Sequence, residues 1–148
     1  MAIPNRLTFV TLGVADVARA TAFYEALGWR PAGASQEGEV TFINTVGPIL
    51  ALFGWQALAD DAGVAADRPA DDRSFRGSAL AINLGSPDEV DAAVFDWEAA
   101  GGAVVKAAHE TSWGGYNAYV ADVDGHLWEI AHNPHFPTDL DGRVLAPD

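Results

Sequence analysis

The chain repeats itself, and the repeat limits the folds open to it. A shift of 70 residues carries Val10, Leu12 and Val14 onto Leu80, Ile82 and Leu84. One slightly longer turn raises the shift to 73, which carries Val17, Ala20, Thr21, Tyr24 and Leu27 onto Val90, Ala93, Val94, Trp97 and Ala100. The first set alternates, as strand residues do, and the second recurs at helical spacing. Each half therefore reads strand–helix–strand–strand–strand. The helix needs one sheet face for its apolar stripe, which consumes the Val10/Leu12/Val14 and Leu80/Ile82/Leu84 faces. The opposite faces must then meet, or curve around a hollow. Small residues there (Gly13, Ala79, Ala81, Ala131) favour the hollow.

Local signals agree with this plan. Asp16 is a helix N-cap and Gly28 closes the helix that follows. Ser86-Pro87-Asp88-Glu89 is a capping box with proline at the first helical position. Strands are expected at 7–14, 40–46, 49–53, 78–84 and 103–108, with a short one near 29–33 and a short helix over 55–62. Residues 63–77 hold three Asp, three Arg and one Pro with little periodicity, and read as a connecting loop. The organisation is one domain over 1–148: module one at about 6–62, the linker at 63–77, module two at about 78–133 and a tail at 134–148.

The stretch 116–133, YNAYVADVDGHLWEIAHN, reads as two strands about the turn Asp122-Val123-Asp124-Gly125. Alternation places Leu127, Glu129 and Ala131 on one face, with Trp128 and Ile130 on the other. If both faces are covered, Glu129 is a carboxylate inside a cavity, where it must be paired, metal-bound or protonated. On an edge strand it would stand in water.

Charge and composition exclude several classes. The net charge of −13 repels a phosphate backbone and argues against nucleic acid. The acidic clusters at Asp60-Asp61, Asp67, Asp71-Asp72 and the C-terminal tail read as solvated surface. No apolar run approaches the ~18 residues of a membrane span. The sequence has no Cys, hence no disulfide, thiolate nucleophile or Cys-based zinc site. The N-terminus lacks a basic region followed by an apolar core, so a cytoplasmic location is expected.

Three stretches carry a resemblance: VTLGVADVARATAFYEALGW at 10–29, GSPDEVDAAVFDWEAAGG at 85–102 and ADVDGHLWEI at 121–130. Together they resemble the vicinal oxygen chelate superfamily, which includes glyoxalase I, extradiol dioxygenases, fosfomycin-resistance transferases and bleomycin-resistance proteins. The resemblance implies an α+β fold: two tandem βαβββ modules curling into a half-open mixed β-barrel with helices outside. It also implies a homodimer, with modules paired within a chain or swapped between chains. Metal-dependent members take one ligand from the first strand of each module and a Glu from the last strand. The matching positions here are Phe9, Ala79 and Glu129, of which only Glu129 has a lone pair to offer. No cofactor is therefore expected. A divalent metal is the weaker alternative, using His109 and Glu129, with Glu110 as an optional third ligand.

The expected cavity lining is Phe9, Thr11, Asn83, His109, Trp113, Tyr116, Tyr119 and Glu129. Tyr24, Trp97 and Trp128 are expected in helix–sheet cores instead. Trp113 and Tyr116, in the glycine-rich stretch 111–116, can stack on a planar ligand or pack the module interface. The first functional reading is a metal-free protein that binds or sequesters a small organic ligand, with Glu129 and Asn83 orienting it. The second is an enzyme of the same superfamily, a lyase, isomerase or dioxygenase. Glu129 would then be general base or metal ligand. A structural or regulatory dimer is the third.

Overall fold

The structure, a computed structural model, describes residues 2–70 and 73–148. Asp71 and Asp72, part of the acidic clusters, lie outside the described residues. The chain is α+β and divides into two compact units, Met1–Ala70 and Asp71–Asp148.

The first unit begins with β1 (Phe9–Val14) and α1 (Val17–Ala26). The Asp16 carboxylate accepts from the Arg19 N–H at 3.0 Å, and Gly28, at φ 88°, follows the last turn. Next come β2 (Val40–Ile43), β3 (Ile49–Gly54) and α2 (Trp55–Ala62). The sheet order is β1-β3-β2, with β1 and β3 parallel and β2 antiparallel to β3. Val14, Ala20, Tyr24, Ile43 and Leu52 are buried between α1 and this sheet. Thr21 of α1 and Thr41 of β2 share a hydroxyl hydrogen bond of 2.7 Å across the layer.

Two expectations fail here. The short strand near 29–33 reduces to one bridge, Pro31 to Ile43. Proline has no N–H to extend a ladder, so the second strand of this module is reduced to that bridge. Gly13, assigned to the wall of a hollow, lies under α2 instead. A Cβ there would come within 3.0 Å of the Trp55 ring and 3.5 Å of Leu58. The space that Gly13 leaves is taken by the helix that β3 runs into.

The second unit is a full βαβββ module: β4 (Leu80–Asn83), α3 (Pro87–Ala99), β5 (Ala103–Glu110), β6 (Tyr116–Ala121) and β7 (Leu127–His132). The sheet order is β4-β7-β6-β5, with β4 and β7 parallel and the other pairs antiparallel. Both sheets are mixed, and neither closes into a barrel. The capping box forms: Ser86 Oγ accepts from the Glu89 N–H at 3.3 Å, and the Glu89 carboxylate reaches the Gly85 N–H at 2.6 Å. Helix α3 packs on β5, β6 and β7. Trp97 is buried there, its ring 5.7 Å from that of Trp128 and its Nε1 donating to the Ala121 carbonyl at 2.7 Å.

The β6–β7 turn is built on a buried acid. Asp122, 1% exposed, accepts from the N–H groups of Asp124 and His126 at 3.0 and 2.9 Å. Arg76, from the stretch read as linker, donates to the Asp124 carbonyl at 2.9 Å and faces the His126 ring at 3.0 Å. Residues 73–77 are thus strapped to this turn. Among the described residues, no helix is long and apolar enough to cross a membrane.

Candidate functional site

Glu129 sits in the middle of the second sheet, on β7, with β4 on one side and β6 on the other. Register partners in a sheet share a face. Ala81 and Tyr119 flank Glu129, and Asn83 and Asn117 flank Ala131 one step along. His109 of β5 pairs with Asn117 and so joins them. This is the face turned away from α3, because Val120, Trp128 and Ile130 on the other side are buried with Val90 and Trp97 of the helix. The second unit therefore brings together Asn83, His109, Tyr119 and Glu129.

The Glu129 carboxylate is held from β6. Asn117 Nδ2 donates to Oε2 at 2.6 Å, and the Tyr119 phenol, on the register partner of Glu129, faces the same carboxylate. Burial, then the Glu129 charge and its hydrogen-bonding pull, push the Tyr119 phenol above its ordinary value. The small side chains of Ala81 on β4 and Ala131 on β7 leave space on those sides of the carboxylate, and Leu127 flanks it at the other end of β7. Asn117 is only 5% exposed, and its Oδ1 has no hydrogen-bond partner among the described residues. A buried acceptor left unmet costs about 1–3 kcal/mol.

Asn117 was missed by sequence reasoning. The signal was present, since it lies two residues from Tyr119 and so shares its face, but nothing fixed which face of 116–121 turned from the helix. Tyr116 does not reach Glu129. It stands three residues from Tyr119, on the α3 side, and its hydroxyl donates to Asp91 of α3 at 2.8 Å. That hydrogen bond, a little burial and the nearby charges of Asp91, Glu110 and Asp88 raise its pKa. Glu110 pairs with Tyr116 and so also lies on the helix side, which separates it from His109 and Glu129. Glu110 thereby drops out of the alternative metal set, of which His109 and Glu129 share a face.

Trp113 lies in the loop between β5 and β6 and is 42% exposed. Its ring covers Gly115, where a Cβ would stand 1.8 Å from it. Phe9 and Thr11 belong to the first unit, on the face of its sheet away from α1. Phe9 is 47% exposed and meets Phe42 edge-on at 6.2 Å. The first unit also holds a cavity of about 370 Å³ between α2 and residues 64–68, floored by Gly13.

The histidines outside this face have other work. His132 Nδ1 donates to the Leu84 carbonyl at 3.1 Å, and His126 faces Arg76. Among the described residues, no three His, Asp or Glu side chains gather to hold a metal ion.

The comparisons with known proteins follow the same lines. The family model of the glyoxalase/bleomycin resistance protein/dioxygenase superfamily matches residues 6–130. A glyoxalase-related enzyme from Fulvimarina pelagi is 36% identical, with a TM-score of 0.84 over 97% of this chain and 100% of that one. A glyoxalase/bleomycin resistance protein/dioxygenase from Nocardioides is 26% identical, with a TM-score of 0.73 over 89% of this chain and 85% of that one. A lactoylglutathione lyase from Agrobacterium tumefaciens shares the fold at 22% identity, with a TM-score of 0.64 over 89% of this chain and 96% of that one. No curated protein matches the sequence. With the family model spanning both modules, the chain belongs to the glyoxalase/bleomycin resistance protein/dioxygenase superfamily.

Proposed function

We propose that this chain binds a small organic ligand without a metal ion, on the face of the β4-β7-β6-β5 sheet turned away from α3. The observation that carries the reading is the Glu129 carboxylate, fixed by Asn117 at 2.6 Å, with Tyr119 beside it on β6, Ala81 on β4 and Ala131 one step along β7. A carboxylate oriented in this way accepts hydrogen bonds from a hydroxyl or amine and positions the molecule that bears it. Asn83, on the same face, supplies an amide with both donor and acceptor.

A metal fits this donor set poorly. The positions that serve as ligands in metal-dependent relatives hold Phe9 and Ala79, which have no lone pair to give. Catalytic divalent sites commonly use three protein ligands, and Glu129 is one, with an oxygen already engaged by Asn117. Metal analysis of protein purified without chelator is expected to find well under one Fe, Mn, Ni or Zn per chain. One tightly held ion per chain would overturn the metal-free reading.

A thermal-shift screen with small organic compounds tests the binding face. Stabilisation by a hit, abolished in Glu129→Gln, is the expected result. A broad panel without a hit would favour a structural or regulatory role. A homodimer is part of the proposal, as the resemblance implies, and sedimentation velocity tests it.

A second reading has one observation in its favour, the 36% identity to a glyoxalase-related enzyme over 97% of the chain. Glu129 would then act as a general base, taking a proton next to a carbonyl of the bound molecule. Deuterium uptake beside the carbonyl of a bound ketone, lost in Glu129→Gln, separates catalysis from binding alone.

A further inference from the structure

The cross-strand row that carries Glu129 extends one strand further. Ala81, Glu129, Tyr119 and Lys106 are register partners across β4, β7, β6 and β5. Lys106 is the only lysine in a chain with 21 acidic residues. Simple alternation would not have placed it here. Val104 pairs with Val120 and Lys106 with Tyr119, so β5 advances two residues where β6 advances one. His109 then pairs with Asn117, three residues on β5 against two on β6. Each mismatch is a β-bulge, and one extra residue reverses which side the following side chains face.

The consequence is specific. Val104 shares the α3 side with buried Val120, and an unbroken strand would have sent Lys106 to that side too. The first bulge turns Lys106 to the Glu129 face. The second keeps His109 there as well. The His109 Nδ1 lies 3.0 Å from the Ala107 carbonyl, which can only accept, so Nδ1 carries the hydrogen. In the neutral ring, Nε2 then offers its lone pair. Bulges commonly re-aim a side chain beside a functional site, and two in one strand bring both side chains to one face.

We propose that Lys106 is the anion-holding end of this binding face. Its ligand is a monoanionic organic acid with the carboxylate on the Lys106 ammonium and a hydroxyl or amine donor on Glu129. This rests on the binding face proposed above and names the class of molecule it takes. Two strand spacings separate the Lys106 and Glu129 backbones, roughly 10 Å, with the Tyr119 ring between them. A single ring with acid and donor at opposite ends suits that span. The field of a chain with net charge −13 opposes every negative charge on a ligand, so only the one charge that the Lys106 ammonium pairs with is accommodated.

The lone lysine makes the test direct. Reductive methylation with carbon-13 formaldehyde labels its amine while keeping the charge. One side-chain resonance then reports on Lys106, beside that of the N-terminal amine. The probes are 4-hydroxybenzoate and phenol, which differ by the acid. Saturable movement of the Lys106 resonance with 4-hydroxybenzoate is expected. Lys106→Gln should weaken that probe by about tenfold or more, Lys106→Arg should retain it, and phenol should not distinguish the variants. Circular dichroism establishes that each variant is folded. An unmoved resonance, or equal loss with phenol, overturns the role of Lys106 and leaves the binding face standing if Glu129→Gln still weakens both probes. Binding of neither probe, or binding indifferent to Glu129→Gln, overturns the face and this inference with it.

Discussion

The two sheets grow from one sequence pattern, yet the faces they turn away from their crossing helices differ in chemistry. In the first unit that face carries Phe9, Thr11, Gly13, Phe42, Ala51 and Phe53. Trp55 of α2 lies over its Gly13 end. In the second it carries Asn83, Lys106, Asn117, Tyr119 and Glu129. The helices did not diverge in this way: Val17 with Tyr24, and Val90 with Trp97, are buried in the same manner. Packing against a helix holds one face of each sheet to apolar residues, while the other face is free to become a floor for α2 in one unit and a polar row in the other.

Breaking the shared part should have the largest effect. Trp97→Ala removes a buried ring and its hydrogen bond to Ala121, and is expected to cost about 3–5 kcal/mol, read from the denaturant midpoint. Trp97→Phe keeps most of the packing and should cost less. The hairpin turns come next. Asp122→Ala strips two N–H groups of their buried acceptor and should cost about 2–4 kcal/mol. Thr45→Ala, at the corresponding exposed turn of the first unit, should cost about 1 kcal/mol or less. Equal costs would show that burial of the turn acid does not matter.

Exchanging the two faces sharpens the comparison at a smaller scale. Gly13 and Asn83 correspond under the repeat. Gly13→Asn drives a side chain into Trp55 and should destabilise by about 1–3 kcal/mol. Asn83→Gly meets no such crowding and should cost about 0.5–1 kcal/mol through backbone entropy.

The smallest effect is alkaline. Tyr119 and Tyr116 both have pKa values raised above 10.0. The folded state therefore keeps these protons longer than the unfolded state does. Their stabilisation is complete below about pH 10 and is lost as pH rises from there through the folded values. Removing the negative charge in Glu129→Gln should bring the Tyr119 titration down towards its ordinary value in a phenolate absorbance titration. Tyr116, raised chiefly by Asp91, should not follow.

Much of the scaffold was legible residue by residue. Helix 55–62 has the bounds read from the sequence, and the Ser86 capping box forms with its partners. Glu129 and Trp128 fall on opposite sides of β7, as alternation requires, and Trp128 meets Trp97 in the core. The site was legible in part. Tyr116 and Tyr119 were both assigned to the cavity, although their spacing of three puts them on opposite faces of a regular strand. The strand near 29–33 is only a bridge because Pro31 has no N–H to give a ladder. Lys106 and His109 could not be placed from periodicity, because each bulge resets the parity on which periodicity depends.

The sequence by itself determined the duplicated order of strands and helices, the caps, and the family. These follow from spacing and local hydrogen bonding, which neighbouring residues settle among themselves. Only the tertiary structure decided that α2 lies on Gly13, that Asn117 holds Glu129, and that two bulges turn the lone lysine to the same face. Those facts depend on the register between strands far apart in the chain, and a shift of one residue would reverse every one of those facings.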